Sequence, residues 1–480
     1  MAFTPARVAP ARRAVLLLGP RDRASRAAFA PARPPNADGP HRARAGKGRR
    51  LLPAPLLSAP RTVPPAPGRP RRTARQAFAP LGRPAFRRYF AARLLSWTGT
   101  ALAPVALAWG VLGLGAGAGG LGVVLAADTA PQLLLLLVGG VVADRWPRTR
   151  VLTVTNLACA SAQATAALLL GTGAVAVWQL AGLAAVCGTA AAFSVPAGSG
   201  MLPDLVPGAL RQEANALLKL AQTTVKVGGP ALGAAVVALT SPAWVIGWDA
   251  VTFTGAAFLL AGLRLPARTE GSRERGAGFR AEFADGWAEV RSRRWFWALV
   301  LQSSVVVPLW LLGYQLLGPV YGQRELGGLA GWGLVAAGFA GGLLLGAALA
   351  LWWQPARVGV VSCAGTAVLA LPLSLMATGG SAPALAVAAG VTGAAGALST
   401  VVWTSLVQER IPADRLSRTL SYAALGQLAV LPFGYLLAGP ATRLLGLHTT
   451  LGAAALLIAL AAVLPLLLPD VRGLRAHRAE

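Results

Sequence analysis

The feature that most constrains this chain is a succession of apolar runs that begins near Phe86 and continues almost to the end. A run of about 20 apolar residues is long enough to cross a bilayer as a helix. Backbone groups in hydrocarbon must bond to one another, which favours helices over irregular structure. We predict twelve membrane spans, six before and six after a polar central segment: Tyr89–Leu112, Leu121–Val142, Val151–Leu170, Val175–Val195, Leu217–Thr240, Ala243–Leu263, Trp295–Val320, Leu329–Leu351, Val358–Ala377, Ala382–Leu406, Thr419–Ala438 and Leu447–Leu468.

Composition supports an all-α integral membrane protein. Hydrophobic residues make up 55% of the chain and charged residues 13%, and the mean hydropathy is +0.58. The net charge of +27 is concentrated, because residues 1–88 contain 20 of the 44 Lys and Arg residues and two of the 17 acids. A tail of this kind differs from a folded basic surface with interleaved aromatic residues, so we expect no nucleic-acid partner.

Residues 1–85 are rich in Arg, Pro and Ala and have no apolar stretch of signal-peptide length. We predict a disordered basic tail. Contact between this tail and anionic lipid is one interpretation. A solvated tail without a role, or a start site assigned too far upstream, is the alternative.

Lysine and arginine alternate strongly between the two sides of the predicted membrane. If the N-terminus is inside, the outer loops contain only Arg324 and Arg443. The positive-inside rule therefore predicts a multi-pass protein of the cytoplasmic (inner) membrane with both termini in the cytoplasm. The arginines on the predicted inner side after the first span are Arg145, Arg148, Arg150, Arg211, the eight arginines of residues 264–294, Arg357, Arg410, Arg415, Arg418, Arg472, Arg475 and Arg478.

The central segment, residues 264–294, separates two predicted six-helix bundles at 86–263 and 295–469, and residues 470–480 form a cytoplasmic tail. Four apolar residues of the central segment recur at helical spacing, with acids on the other side. This pattern predicts an amphipathic helix along the inner membrane surface, acting either as a linker or as part of a gate. The apolar residues are Phe279, Phe283, Trp287 and Val290.

The loop after the second span has the pattern Gly140-x-x-x-Asp144-Arg145-x-x-Arg148-x-Arg150. Together with the motifs below, it resembles the major facilitator superfamily over residues 86–469, in particular the branch of enterobactin exporters and macrolide efflux proteins. The resemblance implies two six-helix halves that rock about a central site, and a loop acid, Asp144, that contacts the other half near Arg418. The other motifs are Leu202–Pro207, Asn215–Leu217, Gly229–Gly233, Asp249-Ala250 and Gln408–Pro412.

The chain departs from the family pattern at three places. Pro147 stands where the loop usually has a glycine, which stiffens the turn. The equivalent loop of the second half, Trp352–Arg357, has no acid. Alignment on Gly188 puts Ala184 where drug–proton antiporters often have an arginine. These differences weaken a direct transfer of the antiporter mechanism.

Apart from Arg93 near the start of the first span, four charged residues fall within predicted spans, where a charge costs about 2.5–3.5 kcal/mol on insertion scales. Asp128 and Asp249 are the candidate proton-coupling groups, because intramembrane carboxylates form proton relays. The alternative for Asp128 is a carboxylate that is paired or hydrated. For Asp249 the resemblance favours a structural role, because the sixth helix lies away from the central cavity in that fold.

Lys219 and Lys226 lie on one face of the fifth span, seven residues apart. They are candidates for contact with an anionic part of the substrate or for a charge network within the protein. On the same helix, Gly229, Pro230 and Gly233 resemble the fifth-helix motif associated with export. Close helix packing is the simpler interpretation of these glycines.

The sequence predicts a proton-coupled exporter of hydrophobic or amphipathic small molecules, such as a drug or secondary metabolite. The alternatives are an inward carrier, a carrier without proton coupling, and a membrane sensor or enzyme on the same scaffold. No Ser/His/Asp set, metal-ligand cluster or phosphate loop occurs in the sequence, so we expect neither an enzyme nor a cofactor or metal. The expected partners are the substrate, protons and the lipid bilayer, and we expect a monomer.

Overall fold

A computed structural model of the chain describes residues 78–263, 293–353, 355–411 and 413–475. Most of the predicted N-terminal tail, the predicted amphipathic helix of the central segment and the last five residues lie outside the described residues. Pro84, at the first helical position, begins the first long helix, as is common for a residue without a free backbone N–H.

Helices α1 to α6 come from the first part of the chain. They are long enough to cross a bilayer at 1.5 Å per residue. Short helical turns at Leu202–Leu205 and Gly208–Leu210 connect α4 to α5. The bounds are α1 Pro84–Gly113, α2 Gly117–Arg145, α3 Arg148–Thr172, α4 Val177–Ser199, α5 Arg211–Leu239 and α6 Pro242–Ala261.

Helices α7 to α12 follow the central segment. The middle of α7, Leu311–Leu317, is a π-helix that begins three residues after Pro308, and α9 is interrupted between Ala367 and Ala370. The bounds are α7 Arg294–Glu325, α8 Leu329–Trp352, α9 Val358–Ala377, α10 Ala382–Arg410, α11 Ala413–Leu445 and α12 Leu447–Val463.

The prediction of an all-α membrane protein is confirmed for the described part of the chain, which contains no strand. Eleven of these helices are long and apolar enough to span a membrane. The exception is α5, whose 29 residues include Lys219 and Lys226. Twelve crossings therefore remain a prediction, and the polar residues of α5 need an explanation.

Among the described residues, contacts between helices arrange them in two groups, α1 to α6 and α7 to α12. Within the first group α1 packs on α5 and α6, α2 on α4, and α3 on α6. Within the second, α8 packs on α10, α9 on α12, and α7 on α11. The main contacts between the groups are α2 with α11 and α5 with α8. We call the two groups the first half and the second half.

The halves meet closely at the end of the bundle where α2 begins and α11 ends, which we call the shared end. A Cβ atom on Gly439 of α11 would lie 2.7 Å from the Cα of Gly119 in α2. A Cβ on Gly122 would overlap the backbone oxygen of Tyr435. The absence of side chains at Gly119, Gly122 and Gly439 therefore lets the two helices approach at this end.

The opposite end carries the α2–α3 and α10–α11 connections, and we call it the arginine-rich end. Buried apolar residues of both halves form one cluster toward the shared end, including Leu121 and Tyr435. Toward the arginine-rich end, the described side chains form two separate clusters. One surrounds Leu152 in the first half, and the other surrounds Phe296 in the second.

The burial of one face of α5 also differs between the two ends of the bundle. Gly233 and Val237, near the shared end, are buried on this face. Lys226, seven residues before Gly233, and Lys219, seven residues earlier again, lie on the same face and are exposed. The face is covered at one end and uncovered at the other, so the described parts of the two halves separate toward the arginine-rich end.

Candidate functional site

Arg148, the first residue of α3, binds the end of α4 and so holds the α2–α3 connection beside it. Its Nη1 donates a hydrogen bond to the backbone oxygen of Gly200 and lies 3.5 Å from Oδ2 of Asp204. A Cβ on Gly200 would overlap the guanidinium, so a larger residue there would displace Arg148 from this position. The predicted loop arginine thus acts within the first half, on an acid of the Leu202–Pro207 motif.

The other residues of the loop have different environments. Arg145 and Arg150 are exposed. The backbone of Asp144 lies near the end of α2, but its side chain and that of Arg418 are outside the described ones. A Cβ on Gly139 would overlap the backbone of Ala192 in α4, whereas Gly140 has open space around it. The sequence motif contains Gly140, whereas the close contact with α4 is made by its neighbour, Gly139.

Asp128 lies where three helices meet. Its backbone faces Gly188 of α4, where any Cβ would overlap the Asp128 carbonyl. Its half-buried carboxylate is within electrostatic range of the Tyr435 hydroxyl of α11, and that hydroxyl is 3.4 Å from Oε1 of Gln315. No described residue forms a hydrogen bond or an ion pair with the Asp128 carboxylate. The group therefore lies close to the contact between the halves without a fixed partner.

Asp249 has the opposite environment. It is 1% exposed, and Nε2 of Gln163 in α3 donates to its Oδ2 over 2.8 Å. The hydroxyl of Thr252 lies 3.4 Å from its Oδ1, and Gly99 of α1 leaves room for both side chains. Asp249 thus joins α1, α3 and α6 inside the first half.

Lys219 and Lys226 are both exposed on α5. Neither forms a hydrogen bond or an ion pair with a residue whose side chain the structure describes. The four charged residues predicted within spans are likewise not paired with one another. Each lies in its own environment.

The glycines of the fifth-helix motif pack against α1. A Cβ on Gly229 would overlap that of Ala101, and one on Gly233 would lie 3.1 Å from the backbone oxygen of Leu102. Pro230 lies within α5 between them. Close helix packing accounts for both glycines.

Sequence reasoning missed an aromatic cluster at the π-helix of α7. Tyr314 stacks on Trp310 with ring centroids 4.6 Å apart and also contacts Trp332 and Phe339 of α8. Its hydroxyl is buried and has no hydrogen-bond partner among the described residues. A proline inside an apolar run, Pro308, was the signal that could have indicated the irregular helix.

Cys159, Cys187 and Cys363 are free thiols inside helices. Within the described residues, no group of three or more His, Cys, Asp or Glu side chains could hold a metal ion.

Two helical halves joined at one end and separated at the other define the architecture of a transporter that exposes a central site to each side of a membrane in turn. The family model of the Major Facilitator Superfamily matches residues 89–428. The chain belongs to this superfamily of membrane transporters, as the sequence motifs implied.

Two relatives and one solved structure illustrate the similarity. The multidrug efflux pump Tap of Mycobacterium bovis (strain BCG / Pasteur 1173P2) is 30% identical over 407 residues, which cover 82% of this chain and 94% of that protein. Tap of Mycolicibacterium fortuitum is 28% identical over 404 residues, with 80% and 95% covered. The crystal structure of the nucleoside transporter NupG has a TM-score of 0.60 at 11% identity, covers 80% of this chain and 98% of its own, and supports the fold.

Proposed function

We propose that the protein exports hydrophobic or amphipathic small molecules, such as drugs, across the cytoplasmic membrane in exchange for protons. The observation that carries this proposal is the face of α5 that is covered at the shared end and uncovered at Lys226. Such a bundle is closed on one side and open on the other, as alternating access requires. The relation to multidrug efflux pumps supports drugs as the substrate class.

The arginine-rich end would face the cytoplasm, because the positive-inside rule assigns it to that side. The conformation described above would then be inward-facing, and both termini would be cytoplasmic. We retain residues 86–263 and 295–469 as the bounds of the two halves, and a monomer as the transporting unit.

Asp128 is the group we propose for proton coupling. It lies where α2 meets α4, within range of Tyr435 from the other half. A rocking motion that parts α2 from α11 would change the hydration of this carboxylate. Asp128 would take up one proton from the outer side when the shared end is open, and release it to the cytoplasm in the inward-facing state.

Asp249 remains the second candidate for coupling. Its hydrogen bond with Gln163 and its 1% exposure favour a role in holding α1, α3 and α6 together. A proton on Asp249 would have to pass through the packed interior of the first half. The carboxylate near the contact between the halves is better placed for exchange with both sides.

The loop after α2 would act as a gate element. Arg148 holds it to Gly200 and Asp204, so that the loop moves with α4 and the rest of the first half. Asp144 would contact the start of α11 near Arg418 when the arginine-rich end closes, as the family resemblance implies. The second-half loop has no equivalent acid, so this contact would come from the first half alone.

A vesicle assay tests the coupling. Inside-out membrane vesicles that contain the protein should accumulate a fluorescent drug when a proton gradient is imposed, and a protonophore should abolish the accumulation. Asp128→Asn should remove gradient-driven accumulation, whereas Asp249→Asn serves as the matched carboxylate control. Unchanged accumulation after collapse of the gradient, together with a harmless Asp128→Asn, would exclude proton coupling and leave a different driving force.

The gate element is tested separately. Asp144→Asn should slow turnover while the protein is still inserted in the membrane at wild-type levels. Arg472→Gln, which alters an exposed charge after α12 and outside this loop, is the control. Normal transport by Asp144→Asn contradicts the gate hypothesis. A protein that binds candidate compounds but never moves them would instead favour a membrane sensor.

A further inference from the structure

The two lysines of α5 face the space between the halves rather than lipid. At about 100° per residue, Lys226 lies roughly 60° from Gly229 on one side and roughly 80° from Ala234 on the other. Gly229 faces Ala101 of α1, and Ala234 faces Gly333 of α8. Lys226 therefore points between a helix of its own half and a helix of the other half.

A different face of α5 is exposed to lipid. Leu232 and Leu239 are 61% and 85% exposed, and they lie roughly 120–140° around the helix from Lys226. These apolar side chains suit a hydrocarbon environment, whereas a lysine on that face would not. The exposure of Lys226 thus arises from the gap between the halves. At 1.5 Å per residue, Lys226 lies about 12 Å along the helix from Ala234, where the halves meet.

The charge of this space is one-sided among the described side chains. Lys226 and Lys219 have no described ionic partner, and Asp249 is buried in its own hydrogen-bonded cluster. Asp128 lies on another helix, close to the contact between the halves. A water-filled gap lets the ammonium groups stay charged, and each can donate up to three hydrogen bonds. An acidic ligand group is the natural acceptor for such donors.

We propose that Lys226 binds an anionic group of the transported molecule, with Lys219 as a second cation nearer the arginine-rich end. This assignment rests on the proposed export function and specifies its substrate class: amphipathic anions or zwitterions are selected over lipophilic cations. The ammonium of Lys226 pairs with a carboxylate, sulfonate or phosphate of the substrate. Lipophilic cations bind less well, because two like charges face them.

Binding to the purified full-length protein in detergent tests the assignment without any proton gradient. Fluorescein and rhodamine 6G share a xanthene core and carry opposite charge, so they form a matched probe pair for fluorescence anisotropy. Wild-type protein should bind fluorescein more tightly. Lys226→Gln should weaken fluorescein binding about tenfold, as expected for the loss of a charge-assisted contact. The same variant should leave rhodamine 6G binding unchanged or improved.

Three further variants test whether the loss of fluorescein binding has a cause other than the missing charge of Lys226. Lys226→Arg keeps the charge and should retain fluorescein affinity within about threefold, since only the geometry of the donor changes. Lys219→Gln should cause a smaller loss than Lys226→Gln. Arg443→Gln removes an exposed cation near the shared end and should have no effect. Gel filtration of each variant verifies that it is folded.

The outcomes separate this inference from the proposed function. A preference for rhodamine 6G, no saturable binding of fluorescein, or equal fluorescein binding by wild type and Lys226→Gln overturns the anion site. A fluorescein site that depends on Lys226, in a protein that never drives dye against a concentration gradient, supports the anion site and contradicts the export function.

Discussion

The two ends of the bundle are built from the same helices but in different ways. At the shared end, small residues let the halves touch: Gly119 meets Gly439, and Gly333 lies beside Ala234. At the arginine-rich end, each half has its own apolar core and long charged side chains. Glycines bring the helix backbones close together but contribute no side chains to the contact. Few interactions are therefore lost when the shared end opens and the arginine-rich end closes.

The largest expected effect comes from filling the contact at the shared end. Gly122→Leu places a side chain where even a Cβ would overlap Tyr435. Overpacking of this kind costs about 1–3 kcal/mol, enough to shift a conformational equilibrium by about fivefold to a hundredfold. We expect drug accumulation in vesicles to fall about tenfold and spin-label distances across the shared end to increase.

Gly434→Leu is the matched control for that experiment. Gly434 is on α11 next to Tyr435, and a Cβ there has open space around it. Transport by this variant should stay within about twofold of wild type, because a Cβ at this position meets no neighbour. Equal losses in both variants would mean that the glycine contact does not hold the shared end closed.

The next effect concerns the arginine-rich end. Arg148→Gln removes the ion pair with Asp204 and the hydrogen bond to Gly200. Hydrogen bonds of charged groups contribute about 1.5–3 kcal/mol, so the thermal unfolding midpoint should fall and turnover should slow. Arg150→Gln, at an exposed position of the same loop, should leave the midpoint unchanged. A stable Arg148→Gln variant would show that the loop is held by its backbone alone.

A smaller effect distinguishes Asp249 from Asp128, the two candidate coupling acids of the first half. Asp249→Asn keeps an oxygen for the Gln163 donor and should leave transport within about twofold of wild type. Asp249→Ala removes the acceptor of that part-buried amide and should cost about 1–3 kcal/mol of stability. Loss of gradient-driven transport in Asp249→Asn with normal stability would instead make Asp249 the coupling group.

The smallest effect is expected at a polar contact between the halves. Nε2 of Gln323 in α7 donates to the backbone oxygen of Leu112 in α1 over 3.4 Å. A bond of this length is worth about 1 kcal/mol or less, so Gln323→Met should change transport less than twofold. Susceptibility profiles of cells that express the variant would detect a larger change. Such a change would indicate that the hydrogen bond between Gln323 and Leu112 helps to hold the shared end closed, in addition to the glycine contact.

The sequence by itself determined the class of protein. Apolar runs of membrane-spanning length predicted the helices, because a buried backbone in hydrocarbon has few other options. Helix ends were harder to place: the predicted eleventh span, Thr419–Ala438, belongs to the longer helix Ala413–Leu445. Polar residues at a helix end carry no hydropathy signal, although the helix continues through them.

Helical spacing also placed Lys219 and Lys226 on one face, but only the tertiary structure decided what that face meets. The rotation of each helix about its axis depends on the packing of all its neighbours. Asp249 therefore turned out to face Gln163, 86 residues away, while Asp128 has no fixed described partner. Likewise Gly139, rather than Gly140, makes the close contact with α4. Charge and length are local properties, whereas partners are set by packing between distant segments.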